Sequence, residues 1–152
     1  MPVTAVSGSA SGIGAAVCQA LRAAGHRVIG IDRANAEVIA DLSSAGGRQA
    51  AISAVLLQSA GVLDGLVCCA GVGSSAMSET IVSVNYFGVS ELLDGLADAL
   101  AKGDSPAAVV IGSIAATHAK PDQQPMVAAM LADNETLALE HANALGLSHV
   151  AY

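Results

Sequence analysis

The sequence predicts an α/β fold, a doubly wound parallel sheet of strand order 3-2-1-4-5, and three observations carry that prediction. Short apolar runs alternate with segments of helical periodicity, the pattern of βαβ units. Three glycines, Gly8, Gly12 and Gly14, cluster between the first apolar run and the first helical segment. An acid, Asp32, ends the second apolar run 24 residues after Gly8. Right-handed crossovers then make 3-2-1-4-5 the natural order, with a ligand seated outside the carboxyl ends of the strands, near the switch point between strands one and four.

Each element has its own justification. A first strand is expected at residues 3–6 and a first helix at 15–24, where Gly14, Val17, Leu21 and Ala24 recur at spacings of three and four. Gln19 and Arg22 face the other way, and Gly25 supplies the stop. A second strand is expected at 27–31, a short third at 38–40, a helix from about 47 to 58 and a fourth strand at 66–69. Ile81, Val84, Gly88, Val89, Leu92 and Leu96 mark the buried face of one long helix, whose outer face carries Glu91, Asp94 and Asp98. A fifth strand, 107–111, reads Ala-Ala-Val-Val-Ile and is apolar on both faces. Residues 114–151 read as an inserted helical segment, with helices at about 126–132 and 135–145 separated by Asp133 and Asn134 and preceded by Pro121 and Pro125. A buried parallel strand needs neighbours on both sides, so the chain is expected to be the N-terminal part of a longer domain, with further strands downstream.

Composition bounds the function. The chain has 152 residues and is 53% hydrophobic, enough for one domain that buries roughly 70% of its unfolded surface. A net charge of -7 without any basic cluster disfavours nucleic acid and anionic membranes as partners, and favours small molecules. Three cysteines, Cys18, Cys68 and Cys69, form no disulfide framework; the adjacent pair should point to opposite faces of a strand. A reducing cytoplasm fits, and neither an export signal nor a spanning segment is indicated. His26, His118, His141 and His149 lack metal-ligand spacing, so no metal site is expected.

The glycine cluster is where a phosphate would sit. Glycines let the backbone turn sharply and approach an anion, and the following helix aims its free N–H groups and positive dipole end at that spot. A dinucleotide pyrophosphate is the obvious ligand, with Asp32 placed to accept hydrogen bonds from the adenosine ribose hydroxyls. Its negative charge would repel a 2′-phosphate, which favours NAD over NADP, although Arg33 beside it could accommodate that phosphate.

Taken together, the glycine spacing of four and two, Asp32, Asp41-Leu42, Ala70-Gly71 after strand four, Asn85 in Val-Asn-Tyr-Phe-Gly, Ser113 after strand five and Tyr152 resemble the short-chain dehydrogenase/reductase family. The segments 23–26, 36–42 and 82–88, with the long stretch before Tyr152, resemble most closely its bacterial 3α-hydroxysteroid dehydrogenase/carbonyl reductase group. The resemblance implies a Rossmann-like domain that moves hydride between NAD and a secondary alcohol or ketone, a 3α-hydroxysteroid or related carbonyl compound. It implies that Gly8, Ser11, Gly12, Ile13 and Gly14 hold the pyrophosphate, that Asp41 and Leu42 meet the adenine, and that Ala70 and Gly71 contact the cofactor through their backbone. It makes Tyr152 the general acid/base, Ser113 the residue that orients the substrate oxygen, and Asn85 a support for the proton relay.

Plainer readings stand beside these: strand-end capping for Asp41, a satisfied core amide for Asn85, a turn serine for Ser113 and a frayed end for Tyr152. A free phenol ionises only near a pH of about 10 and needs nearby positive charge to act as a base at neutral pH. The family supplies it with a lysine four residues after the tyrosine, a position past residue 152 in the part of the domain expected downstream. Cys68-Cys69 stands where many relatives carry Asn-Asn. A 3-oxoacyl-thioester reductase and a catalytically silent NAD-binding or scaffold module are the alternatives. Relatives associate through the long helices flanking the site. The inserted segment could block one such surface, which makes a homodimer the expectation ahead of a tetramer.

Overall fold

The expected alternation is realised as β1 (Val3–Ser7), α1 (Gly12–Ala23), β2 (Arg27–Asp32), β3 (Val38–Ile39), α2 (Ala45–Gln58), β4 (Gly65–Cys68), α3 (Ser78–Val82), α4 (Gly88–Leu100) and β5 (Ala107–Val110). The computed structural model describes residues 1–117, 124–146 and 148–152. All strand pairings are parallel and the order is β3-β2-β1-β4-β5. Strand limits move by about one residue: β1 gains Ser7, β3 stops before Ala40, and β4 takes Gly65 and releases Cys69. The first helix starts at Gly12 rather than at residue 15, so Gly14 lies inside its first turn and is buried there.

The chain divides into two units, Met1–Ala70 with Val89–Ile111, and Gly71–Gly88 with Gly112–Tyr152. In the first unit the central strands β1, β2 and β4 are covered on both faces, as period-two alternation demands, whereas β5 is exposed along its length. One face carries Ala5, Ile29, Ile31, Leu66 and Cys68 against Ile52 and Val55 of α2 and Leu92 and Leu96 of α4. The other carries Val6, Val28, Val67 and Cys69 against Val17, Cys18 and Leu21 of α1. Cys68 and Cys69 therefore do point to opposite faces. Burial pushes the Cys68 thiol up to about 11 and raises those of Cys18 and Cys69. Such thiols are poor nucleophiles at neutral pH.

Two expectations for the long helix need correction. It is not one regular helix: a π-helical turn at Ser83–Phe87 joins α3 to α4. Glu91 is not on a solvated outer face; it pairs with the buried Arg48 of α2 across 2.7 Å, whereas Asp94 and Asp98 are exposed.

The second unit is helical. It contains α3, the π turn, a 3₁₀ turn at Ile114–Thr117, α5 (Pro125–Leu131), α6 (Glu135–Leu145) and α7 (Ser148–Ala151). Its core is Val82, Phe87, Met126, Ala129, Ala138 and Ala142, with Tyr86 set edge-on to Phe87 at 5.1 Å. Asn134 caps α6 by accepting from the Leu137 N–H at 3.1 Å, and Gly146 ends it in the left-handed region. The Pro121 and His118 of the sequence reading lie outside the described residues.

Candidate functional site

In a parallel sheet every strand ends at the same edge, and Gly8, Asp32, Asp41 and Ala70 stand at or just past the ends of β1, β2, β3 and β4. After β1 the chain turns at Gly8, whose φ of +70° suits glycine. A side chain at Gly8 would sit 2.8 Å from the Ala70 nitrogen, so the turn lies directly on the end of β4. The Ala70 N–H donates to Ser7 Oγ at 3.1 Å, and the Gly8 N–H donates to the Ile31 carbonyl at 2.9 Å. Gly8, Ala70 and the end of β2 are thereby locked together.

Gly14 performs a different task. A Cβ there would fall on the Gly8 carbonyl oxygen, so its lack of a side chain lets α1 pack onto the turn. Gly12 has a φ of +52° and faces open space, with no atom within 4 Å of where a Cβ would be. Ser11 occupies the position before α1 without using its side chain as a cap, and Ile13 is 58% exposed. An open helix start of exposed Ser11, Gly12 and Ile13 presents backbone N–H groups suited to a pyrophosphate.

Asp32 closes the turn. Its Oδ2 accepts from the Ala10 N–H at 2.9 Å and its Oδ1 from the Arg33 N–H at 2.7 Å. A carboxylate has about four acceptor positions, so roughly two remain for a diol such as the ribose hydroxyls. Asp32 thus shapes the loop as well as offering a site. Asp41, past β3, accepts from the Ser43 N–H at 3.0 Å, and that hydrogen bond foremost holds its carboxyl below the ordinary range. It is an ionised acceptor at the exposed end of a loop whose next residue, Leu42, is buried.

The second unit contains Gly71, Asn85, Ser113 and Tyr152. The Asn85 amide is satisfied in both directions: Oδ1 accepts from the Val72 N–H at 2.8 Å and Nδ2 donates to the Val72 carbonyl at 3.0 Å. A Cβ on Gly71 would lie 3.4 Å from Asn85 Oδ1, so the π turn and the loop after β4 are brought together by this one side chain. Ser113 is exposed, and its Oγ accepts from the Ala115 N–H at 3.1 Å at the start of the 3₁₀ turn. Tyr152 follows α7 and is 42% exposed. The structure therefore brings Gly8, Gly12, Gly14, Asp32 and Ala70 together in one unit, and Gly71 with Asn85 in the other.

Sequence reasoning missed several residues that shape the site. Ser7 is wholly enclosed beneath Ala70; a serine directly before the first glycine was the available signal. Ser9 Oγ is buried against Gly30 without a hydrogen-bond partner among the described residues, and Glu37 accepts from the Gly30 N–H at 2.8 Å while pairing with Arg22. Arg48 shares a helix face with Ala51, Ile52 and Val55, a spacing that places its guanidinium in the core. Among the described residues no helix is long and apolar enough to cross a membrane, and no three His, Cys, Asp or Glu side chains are placed to hold a metal ion.

Residues 2–132 match the short chain dehydrogenase family. The chain is 48% identical to the 3-alpha-hydroxysteroid dehydrogenase/carbonyl reductase of Comamonas testosteroni over 156 aligned residues, covering 100% of this chain and 60% of that protein. It is 38% identical over 106 residues to a coniferyl-alcohol dehydrogenase of Pseudomonas sp. strain HR199, covering 66% of this chain and 40% of the relative. Among solved structures, the 3-alpha-hydroxysteroid dehydrogenase of Pseudomonas sp. B-0831 complexed with NADH superposes with a TM-score of 0.97 at 60% identity, over 99% of this chain and 59% of that one. The chain spans about three-fifths of the length of these hydroxysteroid dehydrogenase relatives.

Proposed function

The chain belongs to the short-chain dehydrogenase family, and from that premise we propose that it forms the cofactor-binding part of an oxidoreductase acting on a secondary alcohol and its ketone, with NAD as cofactor and a 3α-hydroxysteroid or related carbonyl compound as substrate. The observation that carries the proposal is the turn of residues 8–14, in which Gly8 and Gly14 are consumed by packing while Gly12 and the exposed start of α1 stay open. NAD supplies hydride transfer at its nicotinamide ring when bound. The chain's own residues bind, orient and move protons.

In this reading Gly8, Ser11, Gly12, Ile13 and Gly14 hold the pyrophosphate against the positive end of α1. Asp32 accepts from the ribose hydroxyls, Asp41 accepts from the adenine amino group beside Leu42, and Ala70 and Gly71 line the cofactor with their backbone. Ser113 Oγ donates to the substrate oxygen, Tyr152 exchanges its proton, and Asn85 fixes the loop after β4 from the π turn. The Asp32 carboxylate disfavours a 2′-phosphate, so NAD is preferred to NADP. The sheet is taken to continue beyond β5, with residues 114–151 as a helical insertion, a homodimer as the assembly and the cytoplasm as the location.

Calorimetric titration of the protein carrying this chain with NADH and NADPH, beside turnover of a 3α-hydroxysteroid and its 3-oxo counterpart, tests the reading. NADH should bind at least ten-fold more tightly than NADPH, a difference of about 1.4 kcal/mol, and the hydroxysteroid should be oxidised. Absence of binding to either nucleotide overturns the proposal, and binding without turnover of any alcohol makes the protein a silent nucleotide-binding module.

A further inference from the structure

The geometry points to Arg48 as a positioning residue for the adenine end of the cofactor site, an inference that rests on the NAD reading above. Arg48 is 0% exposed. Its Nε donates to Glu91 Oε1 of α4 at 2.7 Å, and its Nη1 donates to the Leu42 carbonyl at 3.1 Å. That carbonyl belongs to the residue after Asp41, so the guanidinium grips the loop carrying the acceptor assigned to the adenine amino group.

The rest of the loop is built for fixity too. The Ser43 N–H and the Asp41 carboxylate close one turn at 3.0 Å, the Ser44 N–H reaches the Asp41 carbonyl at 3.4 Å, and a Cβ on Gly47 would fall on that same carbonyl oxygen. Ser44 Oγ accepts from the Gly47 N–H at 3.1 Å, so the helix bearing Arg48 starts against the loop it holds. Asp41 itself stays exposed on a loop pinned from beneath.

A buried ion pair is a weak source of stability, since two desolvated charges are often replaced by apolar side chains without loss. An apolar residue at position 48 would fill the same space between α2, α4 and the sheet. It could not donate to the Leu42 carbonyl. Holding Asp41 and Leu42 in place before the ligand arrives removes an ordering cost from binding, a task that an apolar side chain cannot perform. A lysine has a single ammonium group and cannot span Glu91 and Leu42 as the guanidinium fork does.

The test compares the wild type with Arg48→Met/Glu91→Met, and separately with Arg48→Lys, in the protein carrying this chain. Binding of NADH and of ADP-ribose, the NADH KM and kcat, and the melting temperature are measured. The double variant should melt at or above the wild-type temperature and yet bind both NADH and ADP-ribose about ten-fold more weakly, with KM for NADH raised and kcat at saturation unchanged. Arg48→Lys should lose at least three-fold in ADP-ribose affinity, and it decides the question if the double variant does not fold. ADP-ribose affinity equal to wild type in whichever variant folds overturns the inference and leaves Arg48 as a core staple. A wild type that binds no NADH removes the premise instead, and is recognised before any variant is made.

Discussion

Gly12 and Gly14 lie two residues apart in the turn after β1, and a methyl group would tell them apart. At Gly14 the added Cβ meets the Gly8 carbonyl, a backbone atom that cannot swing away, so Gly14→Ala should lose about 3 kcal/mol or more in a denaturant titration. At Gly12 the Cβ meets nothing, and only the left-handed φ of +52° opposes it, a cost of about 1–2 kcal/mol. Gly12→Ala should therefore keep most of its stability and lose NADH affinity, because the methyl group projects where the pyrophosphate is proposed to sit. Equal stability losses in the two variants would remove this division of labour. Much at this scale was legible: the glycines and Asp32 announce themselves by spacing and by position at strand ends. The bond from the Ala10 N–H to Asp32 was not, because it joins residues 22 apart and depends on how the turn folds back.

Between elements, Asp64 ties the starts of three strands. It stands just before β4; its Oδ2 accepts from the Val3 N–H of β1 at 2.7 Å and its Oδ1 from the Asp104 N–H on the approach to β5 at 2.9 Å. Those bonds, that from Val3 foremost, hold its carboxyl below the ordinary range. A depressed folded pKa means the stabilisation is complete above the unfolded value of about 3.9 and is lost as pH falls through the folded value. The unfolding midpoint should decline below a pH of about 4, and Asp64→Asn should flatten that decline; an unchanged acid limb in the variant would show that other carboxylates carry it. The π turn shows where local pattern fails. Val84, Gly88, Leu92 and Leu96 repeat every four residues, which suits a plain helix, so nothing in the spacing marks the turn at 83–87. Asn85 stands out in the sequence by its place in Val-Asn-Tyr-Phe-Gly, but its grip on Val72 is a contact across 13 residues that only the structure shows. Glu91 was misplaced for a related reason: periodicity assigns faces by hydrophobicity, and an acid is assigned outward unless its buried partner on another helix is known.

For the molecule as a whole, strand order was the most legible property, since short connections and right-handed crossovers leave few arrangements of five alternating units. The consequence of that order is that β5 pairs with β4 alone among the described strands. Val109 is 49% exposed, Val110 48% and Ile111 43%, and because successive side chains point to opposite faces, the strand is open on both. Its outer edge also presents backbone donors and acceptors with no strand to pair with among the described residues, which is the template on which another chain adds. The 152-residue chain on its own should therefore associate as its concentration rises, seen as a growing sedimentation coefficient. Val109→Lys/Ile111→Lys places charge on one face of that edge while leaving the β4 pairing in place, and should return the chain toward monomer. The same variant should bind NADH as the parent does, because neither residue belongs to the turn of residues 8–14. Association that persists undiminished in the double lysine variant would place the sticky surface elsewhere, and a chain that stays monomeric throughout would show that the exposed edge is protected by its own twist.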